Sequence, residues 1–173
     1  MKENMKIKND WSYAKGKINC ERYFLEEFKK NNFPVIIVRP GHTYDTIIPE
    51  AVGNGDWTNI SRMIKRKPII INGDGNNLWT LTHSKDFSEC LAELVNMNEA
   101  IGQYYHITSN EVLTWNSITQ IVIQTIGVKN VDIINISSKL IYKEDINLGE
   151  PLIGHKMWCD IYDNTKINHL TGW

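Results

Sequence analysis

Apolar residues along the chain fall into short β-branched runs that alternate with longer stripes at helical spacing. Ala14, Ile18, Leu25 and Phe28 form such a stripe, and Glu26, Glu27, Lys29 and Lys30 supply a wet side. A helix is therefore predicted from a cap at Asp10 or Ser12 to about Asn31, where Asn31-Asn32 and Pro34 stop it. Val35-Ile36-Ile37-Val38 follows at once, bounded by Arg39-Pro40. A β-branched run without polar alternation reads as a strand covered on both faces, as in a parallel sheet. A helix feeding a buried strand is the second half of a β-α-β unit, yet only the polar lead from Met1 to Asp10 precedes it. The earlier strands of the sheet are thus absent from the pattern. After the strand the chain is expected to turn at Gly41-His42-Thr43-Tyr44, at the carboxyl end of a parallel strand, where α/β proteins bind ligands.

Further along, the pattern predicts a helix around Asp56–Lys67, a short strand at Pro68–Asn72 and a hairpin turn at Gly73-Asp74-Gly75. Trp79–Thr82 reads as extended. Ser84–Met97 reads as a helix capped by Ser84 with Asp86 in its first turn, and Phe87, Leu91, Leu94 and Val95 are its apolar side. Strands are predicted at Gln103–Thr108 and Val131–Ile136, with helices at Thr114–Ile126, Ser137–Tyr142 and Asn164–Leu170. The alternation argues for an α/β or α+β fold rather than an all-β one. No repeat or low-complexity linker divides the chain, so a single unit is expected. Within it, residues 1–45 would hold the first helix and strand, and residues 46–173 a smaller α+β lobe.

Composition adds constraints. The chain has 173 residues with 19 Lys+Arg against 20 Asp+Glu, a formal net charge of -1. That balance gives no general electrostatic reason to expect nucleic acid or an acidic membrane as partner. No apolar run approaches the roughly 18 residues of a membrane span, and the first ten residues lack a signal-peptide core. Cys20, Cys90 and Cys159 are widely spaced and form no C-x-x-C pair, which suits free thiols in a reducing cytoplasm.

Chemistry concentrates first at Ser12-Tyr13-Ala14-Lys15-Gly16-Lys17. Tyr13 and Lys17 are four apart, so on a helix they share a face and address one site. A free tyrosine titrates near 10, and a fixed cation beside a phenolate favours it, which makes such a pair an acid/base for an alcohol or sugar hydroxyl. Other clusters have simpler readings. His83, Ser84 and Asp86 lie at a helix start, where capping explains Ser and Asp. His155 and Cys159 are four apart, but no further paired ligands stand near them for a metal. Arg62, Lys65, Arg66 and Lys67 suit the end of a helix, with contact to a phosphate-bearing ligand or RNA as the functional alternative. Trp79 and Trp115 are read first as core.

Three blocks in order, SYAKGK, VIIVRPGHTYD and INGDGNNLWTLTHSKDFSECL, give the chain a family likeness. It resembles the NAD-dependent epimerase/dehydratase family of extended short-chain dehydrogenase/reductases, whose members show a YxxxK helix, a strand ending RP-x-N-x-Y-G and a GDG-x-x-x-R segment. Asp163-Asn164-Thr165-Lys166 is similar to the family's late D-x-x-K stretch. The resemblance implies the C-terminal part of a Rossmann-like parallel sheet plus a substrate-binding lobe. It implies Tyr13 as catalytic acid/base, Lys17 as the residue that orients it and holds the nicotinamide ribose, and Pro40, Gly41 and His42 near the nicotinamide. His42, Trp79 and His83 would meet the substrate, with Asp86 nearby. NAD(P) and a nucleotide-sugar are the implied cofactor and substrate, in a cytoplasmic protein with a homodimer as the expected assembly.

The departures from the family are specific. His42 stands where many members have Asn, Asp45 where they have Gly, and Trp79 where an Arg often contacts a diphosphate; losing that guanidinium removes a bidentate partner. The GxxGxxG loop that takes the cofactor pyrophosphate has no counterpart in the sequence. Ser12, next to Tyr13, is not in the place of the family serine. The expectation is a truncated epimerase/dehydratase-like protein, inactive by itself, that does not hold NAD tightly. The rival reading is a non-catalytic module of the atypical short-chain dehydrogenase type, with RNA or a protein as partner.

Overall fold

The computed structural model describes residues 1–3 and 11–173. In chain order the elements are α1 (Ser12–Asn31), β1 (Ile37–Pro40), β2 (His42–Tyr44), α2 (Thr58–Ile64), β3 (Ile69–Asn72), β4 (Leu78–Trp79), β5 (Leu81–His83) and α3 (Ser84–Leu94). There follow a 3-10 turn (Asn98–Ala100), β6 (Tyr104–Ile107), β7 (Leu113–Thr114), α4 (Trp115–Thr125), β8 (Ile133–Ile136), α5 (Ser138–Glu144), α6 (Ile146–Pro151), a π-helical turn (Leu152–Lys156) and α7 (Thr165–Thr171). The chain forms two compact units, one of residues 1–43, 80–110 and 162–173, the other of residues 44–79 and 111–161. The expected division at residue 45 therefore gives way to an interleaved one. Residues 80–110 and 162–173 return to the first unit because β6 pairs with β1 and α7 packs on β6.

In the first unit β1 and β6 run parallel, with Ile37 opposite Tyr104 and Pro40 opposite Ile107. Strand alternation sends Val38, Tyr105 and Ile107 to one face, where they join Cys90 and Leu94 of α3, Ala100 and Ile167 of α7 in a dry cluster. Arg39 and His106 lie on the opposite face. There the Arg39 guanidinium donates to both carboxylate oxygens of Glu21 on α1, at 2.9 and 2.7 Å, and to the Glu3 carbonyl at 2.9 Å. The β1–β6 pair is thus covered on both faces, as its unbroken apolar run predicts. Neighbouring β2 pairs with β5, so the expected turn at Gly41–Tyr44 is extended chain from His42 onward.

Two apolar clusters stand out in the second unit. Ile60 and Met63 of α2, Ile69 of β3 and Ile123 of α4 form one; Val52, Ile141 of α5 and Leu152 form the other. β3 runs parallel to β8, whereas β4 pairs antiparallel with β7. The Gly73-Asp74-Gly75 segment is therefore no hairpin, since the strands it joins belong to different sheets. It is a tight turn with Gly73 and Gly75 in the left-handed region, φ 63° and 73°. The Asn116 side chain braces it by donating to the Asp74 carbonyl and the Asn76 amide oxygen, at 3.0 and 3.1 Å. No helix among the described residues is long and apolar enough to cross a membrane.

Candidate active site

Tyr13 and Lys17 lie in the first turns of α1. Trp11 precedes the helix and supplies no side-chain cap; Ser12 is the first helical residue, so it does not cap, and Asp10 lies outside the described residues. Tyr13 is 59% exposed, stacks on Trp11 with ring centroids 5.0 Å apart, and has the Lys17 ammonium 5.4 Å from its own ring centre. Helical spacing thus brings the two side chains to one exposed face, as their separation predicts. The apolar stripe of Ala14, Ile18, Leu25 and Phe28 is half-buried on the other side. Further along the helix, the Glu21–Arg39 bridge ties α1 to β1.

Pro40 and Gly41 end β1. A Cβ at Gly41 would stand 3.1 Å from the Thr108 methyl and 3.5 Å from the Tyr162 ring, so only a bare backbone fits over that floor without a shift. The floor is polar, buried and internally satisfied. Thr108 donates its hydroxyl to Asn164 Oδ1 at 3.0 Å, and Asn164 Nδ2 donates to the Thr108 carbonyl at 2.6 Å and to Asn110 Oδ1 at 3.0 Å. The Ser109 amide donates to the Thr82 hydroxyl at 3.0 Å. Asp163 accepts from the Thr165 amide at 2.9 Å, while Lys166 donates to the Tyr104 carbonyl at 2.9 Å and to Gln103 at 3.1 Å. The D-x-x-K stretch is therefore a clamp that seats α7 on β6. Sequence reasoning did not single out Thr82 or Thr108, and it named Asn164 only within the D-x-x-K stretch and at the start of a helix.

His42 and His83 lie on the paired strands β2 and β5. His83, not Ser84, caps α3: its Nδ1 accepts the Lys85 amide at 3.1 Å, and Ser84 is already helical. Accepting at Nδ1 favours the tautomer with its proton on Nε2, the nitrogen that would meet a ligand. On the opposite face of the β1–β6 pair, burial pulls His106 below the ordinary histidine range although Glu3 opposes the shift.

Trp79 belongs to the second unit and is fully buried there. Its ring lies 4.8 Å from Trp115 and 4.7 Å from His155, and His155 Nε2 meets the buried Asp160 at 3.2 Å. Trp79, expected among the substrate contacts, therefore packs as core, and its indole shows no face to solvent. Lys156 lies beside this stack, 5.5 Å over the Trp115 ring, and donates to the Glu50 carbonyl at 2.8 Å. Burial brings Lys156 down to about 8 and pushes the Glu50 carboxyl up. No group of three or more His, Cys, Asp or Glu that could hold a metal occurs among the described residues.

For a nicotinamide dinucleotide the residues fit at one end. Tyr13 and Lys17 offer a hydroxyl and an ammonium on one exposed face, while the Gly41 backbone packs directly on Thr108 and Tyr162. For the pyrophosphate, the Gly73–Gly75 turn does not serve: Asn116 fills it and β4, not a helix, follows.

The sequence profile of the NAD dependent epimerase/dehydratase family matches residues 1–108. Among solved structures, Pal from Bacillus thuringiensis superposes with a TM-score of 0.75 at 19% identity, over 100% of this chain and 50% of that one. The dTDP-glucose 4,6-dehydratase of Bacillus anthracis in complex with NAD gives 0.73 at 20% identity, over 99% of this chain and 49% of that one. The UDP-glucuronic acid 4-epimerase of Bacillus cereus in complex with NAD gives 0.71 at 16% identity, over 97% and 48%. The chain thus spans about half the length of these solved relatives and shares the fold of their C-terminal part. No curated protein matches it.

Proposed function

The chain belongs to the NAD-dependent epimerase/dehydratase family, and from that premise we propose that it is the catalytic-helix and substrate-lobe portion of a nucleotide-sugar epimerase or dehydratase. The observation that carries this reading is the Tyr13–Lys17 pair, exposed on one face of α1 with the ammonium 5.4 Å from the phenol ring. In the reaction Tyr13 removes the proton of a sugar hydroxyl and later returns it. Lys17 stabilises the phenolate and offers donors to the ribose hydroxyls of the cofactor. Bound nicotinamide supplies the hydride acceptor and donor. Gly41 brings the end of β1 close onto Thr108 and Tyr162, and His42 and His83 stand on paired strands as substrate contacts. Trp79 packs in the core of the second unit instead of offering a guanidinium to a diphosphate, which favours substrates whose phosphates are held elsewhere or lack a second phosphate.

The test uses a protein that carries this chain together with a glycine-rich dinucleotide-binding half, assayed with NAD and UDP- or dTDP-hexoses. Tyr13→Phe should lower kcat by about 100-fold or more, the range for losing a positioned acid/base, with NAD affinity retained. Turnover that survives Tyr13→Phe unchanged would remove Tyr13 from the mechanism.

A further inference from the structure

The surface around α2 carries a second site-like feature that the acid/base chemistry does not use. Trp57, just before the helix, is 65% exposed. Trp57, Ser61 and Lys65 are four residues apart and form one stripe along α2, with Arg62 beside it. The helix closes on Arg66, whose φ is 54°, with the Arg66 amide donating to the Met63 carbonyl at 3.0 Å and the Lys67 amide to the Arg62 carbonyl at 2.8 Å. That closure reverses the chain and sets Lys67 on the same depression, an open hollow of about 450 Å³ that Asp56, Trp57, Ser61, Arg62 and Lys65 also line. Arg62 spends Nε on the Pro68 carbonyl at 2.8 Å, which fixes its guanidinium at the rim. The Asp56 carboxylate is occupied by the Thr58 amide at 2.7 Å.

An exposed indole among three cations matches a ligand that joins flat aromatic rings to phosphates. The hollow is open, whereas a small nucleotide is held by a concavity that covers most of its surface. An acidic peptide would answer the cations, but it needs an apolar pocket for an anchor, and beyond Trp57 the lining is hydroxyl and charged. A strand gains instead from several weak contacts in a row, a base on an aromatic platform and its phosphates on a basic groove. We propose that this hollow binds single-stranded nucleic acid, one base stacked on Trp57 and the flanking phosphates on Arg62, Lys65 and Lys67. The overall charge of -1 sets a modest affinity and does not oppose a local basic site. The hollow shares no residue with the Tyr13–Lys17 pair, so its fate is independent of the enzymatic reading.

Fluorescence anisotropy of a labelled ten-nucleotide oligouridylate against the 173-residue chain tests it. Binding in the micromolar range is expected, with a log–log salt slope of about -2 for three contacts to a single strand. Trp57→Ala should weaken binding about tenfold or more, and Trp57→Phe should keep most of it. Lys65→Ala and Lys67→Ala should each reduce the slope by about 0.7. Absence of binding at about 100 μM protein in low salt overturns the proposal. Binding indifferent to Trp57→Ala overturns it too, as does equal affinity for a nucleoside triphosphate or for polyglutamate. All these side chains are surface ones, and the phenylalanine variant reports stacking even if the alanine variant is unstable.

Discussion

Lys156 shows how one residue couples the second unit to pH. Its ammonium is set between the Glu50 carbonyl and the Trp115 ring, and burial lowers it from 10.5 to about 8 while Glu50 pulls the other way. Between those values the unfolded chain binds the proton and the folded chain does not. Stability must therefore rise as the pH climbs from about 8 to about 10.5, by up to about 3 kcal/mol at 1.36 kcal/mol per pH unit. Glu50 works in another window: burial pushes its carboxyl up from 4.5, so the folded state holds that proton longer and its contribution falls as the pH rises above 4.5. Urea melts at stepped pH should show the alkaline rise in the native chain and a flatter profile in Lys156→Met. Equal slopes for the two proteins would place the cause elsewhere.

At the scale of elements, α2 depends on how it ends, because seven residues make few internal hydrogen bonds. Its closing residue, Arg66, has φ 54°, a conformation that burdens a side chain by about 1 kcal/mol and that glycine adopts without strain. Arg66→Gly should raise stability by a few tenths to about 1 kcal/mol once the greater freedom of the unfolded glycine chain is subtracted. A shift of the thermal or urea midpoint measures it, and a loss on substitution would mean that the arginine side chain makes a compensating contact. Elements with an unbroken pattern were legible from sequence: α1 from its stripe, β1 and β3 from their β-branched runs, α4 and α5 from Thr114 and Ser137, which do cap them. Residues 146–156 were not, because Gly149, Pro151 and Gly154 break up any helical pattern. The chain there is helical all the same, and Pro151 marks where α6 gives way to a π turn, as a missing amide allows. The same contrast holds for the site. Tyr13 and Lys17 needed only helical spacing, whereas the Thr108–Asn164 floor depends on a pairing 56 residues apart that no local pattern encodes.

For the molecule as a whole, the question is how much of a dinucleotide this chain can hold. On the proposed reading, Tyr13, Lys17, Pro40 and Gly41 of the first unit would meet the nicotinamide end. The pyrophosphate of such cofactors is normally held by backbone amides of a glycine-rich turn that opens a helix, together with the helix dipole. The sequence has 11 glycines but no G-x-G-x-x-G or G-x-x-G-x-x-G run; the Gly73-Asp74-Gly75 turn is braced by Asn116 and leads into β4, and the Gly53-Asn54-Gly55 segment is packed by the Glu50 and Ile47 side chains. The adenylate half of NAD therefore has nothing built to meet it among the described residues. The 173-residue chain should bind NAD no more tightly than about 1 mM, or about 4 kcal/mol. It should bind nicotinamide mononucleotide equally well, because the added adenylate makes no further contacts. Calorimetric titration of both ligands decides the matter. A micromolar Kd for NAD, or a clear preference for it over the mononucleotide, would show that some other part of this chain takes the pyrophosphate. Equal, weak binding that falls further in Lys17→Ala would place the nicotinamide end on α1 and assign the rest of the cofactor to a separate dinucleotide-binding half.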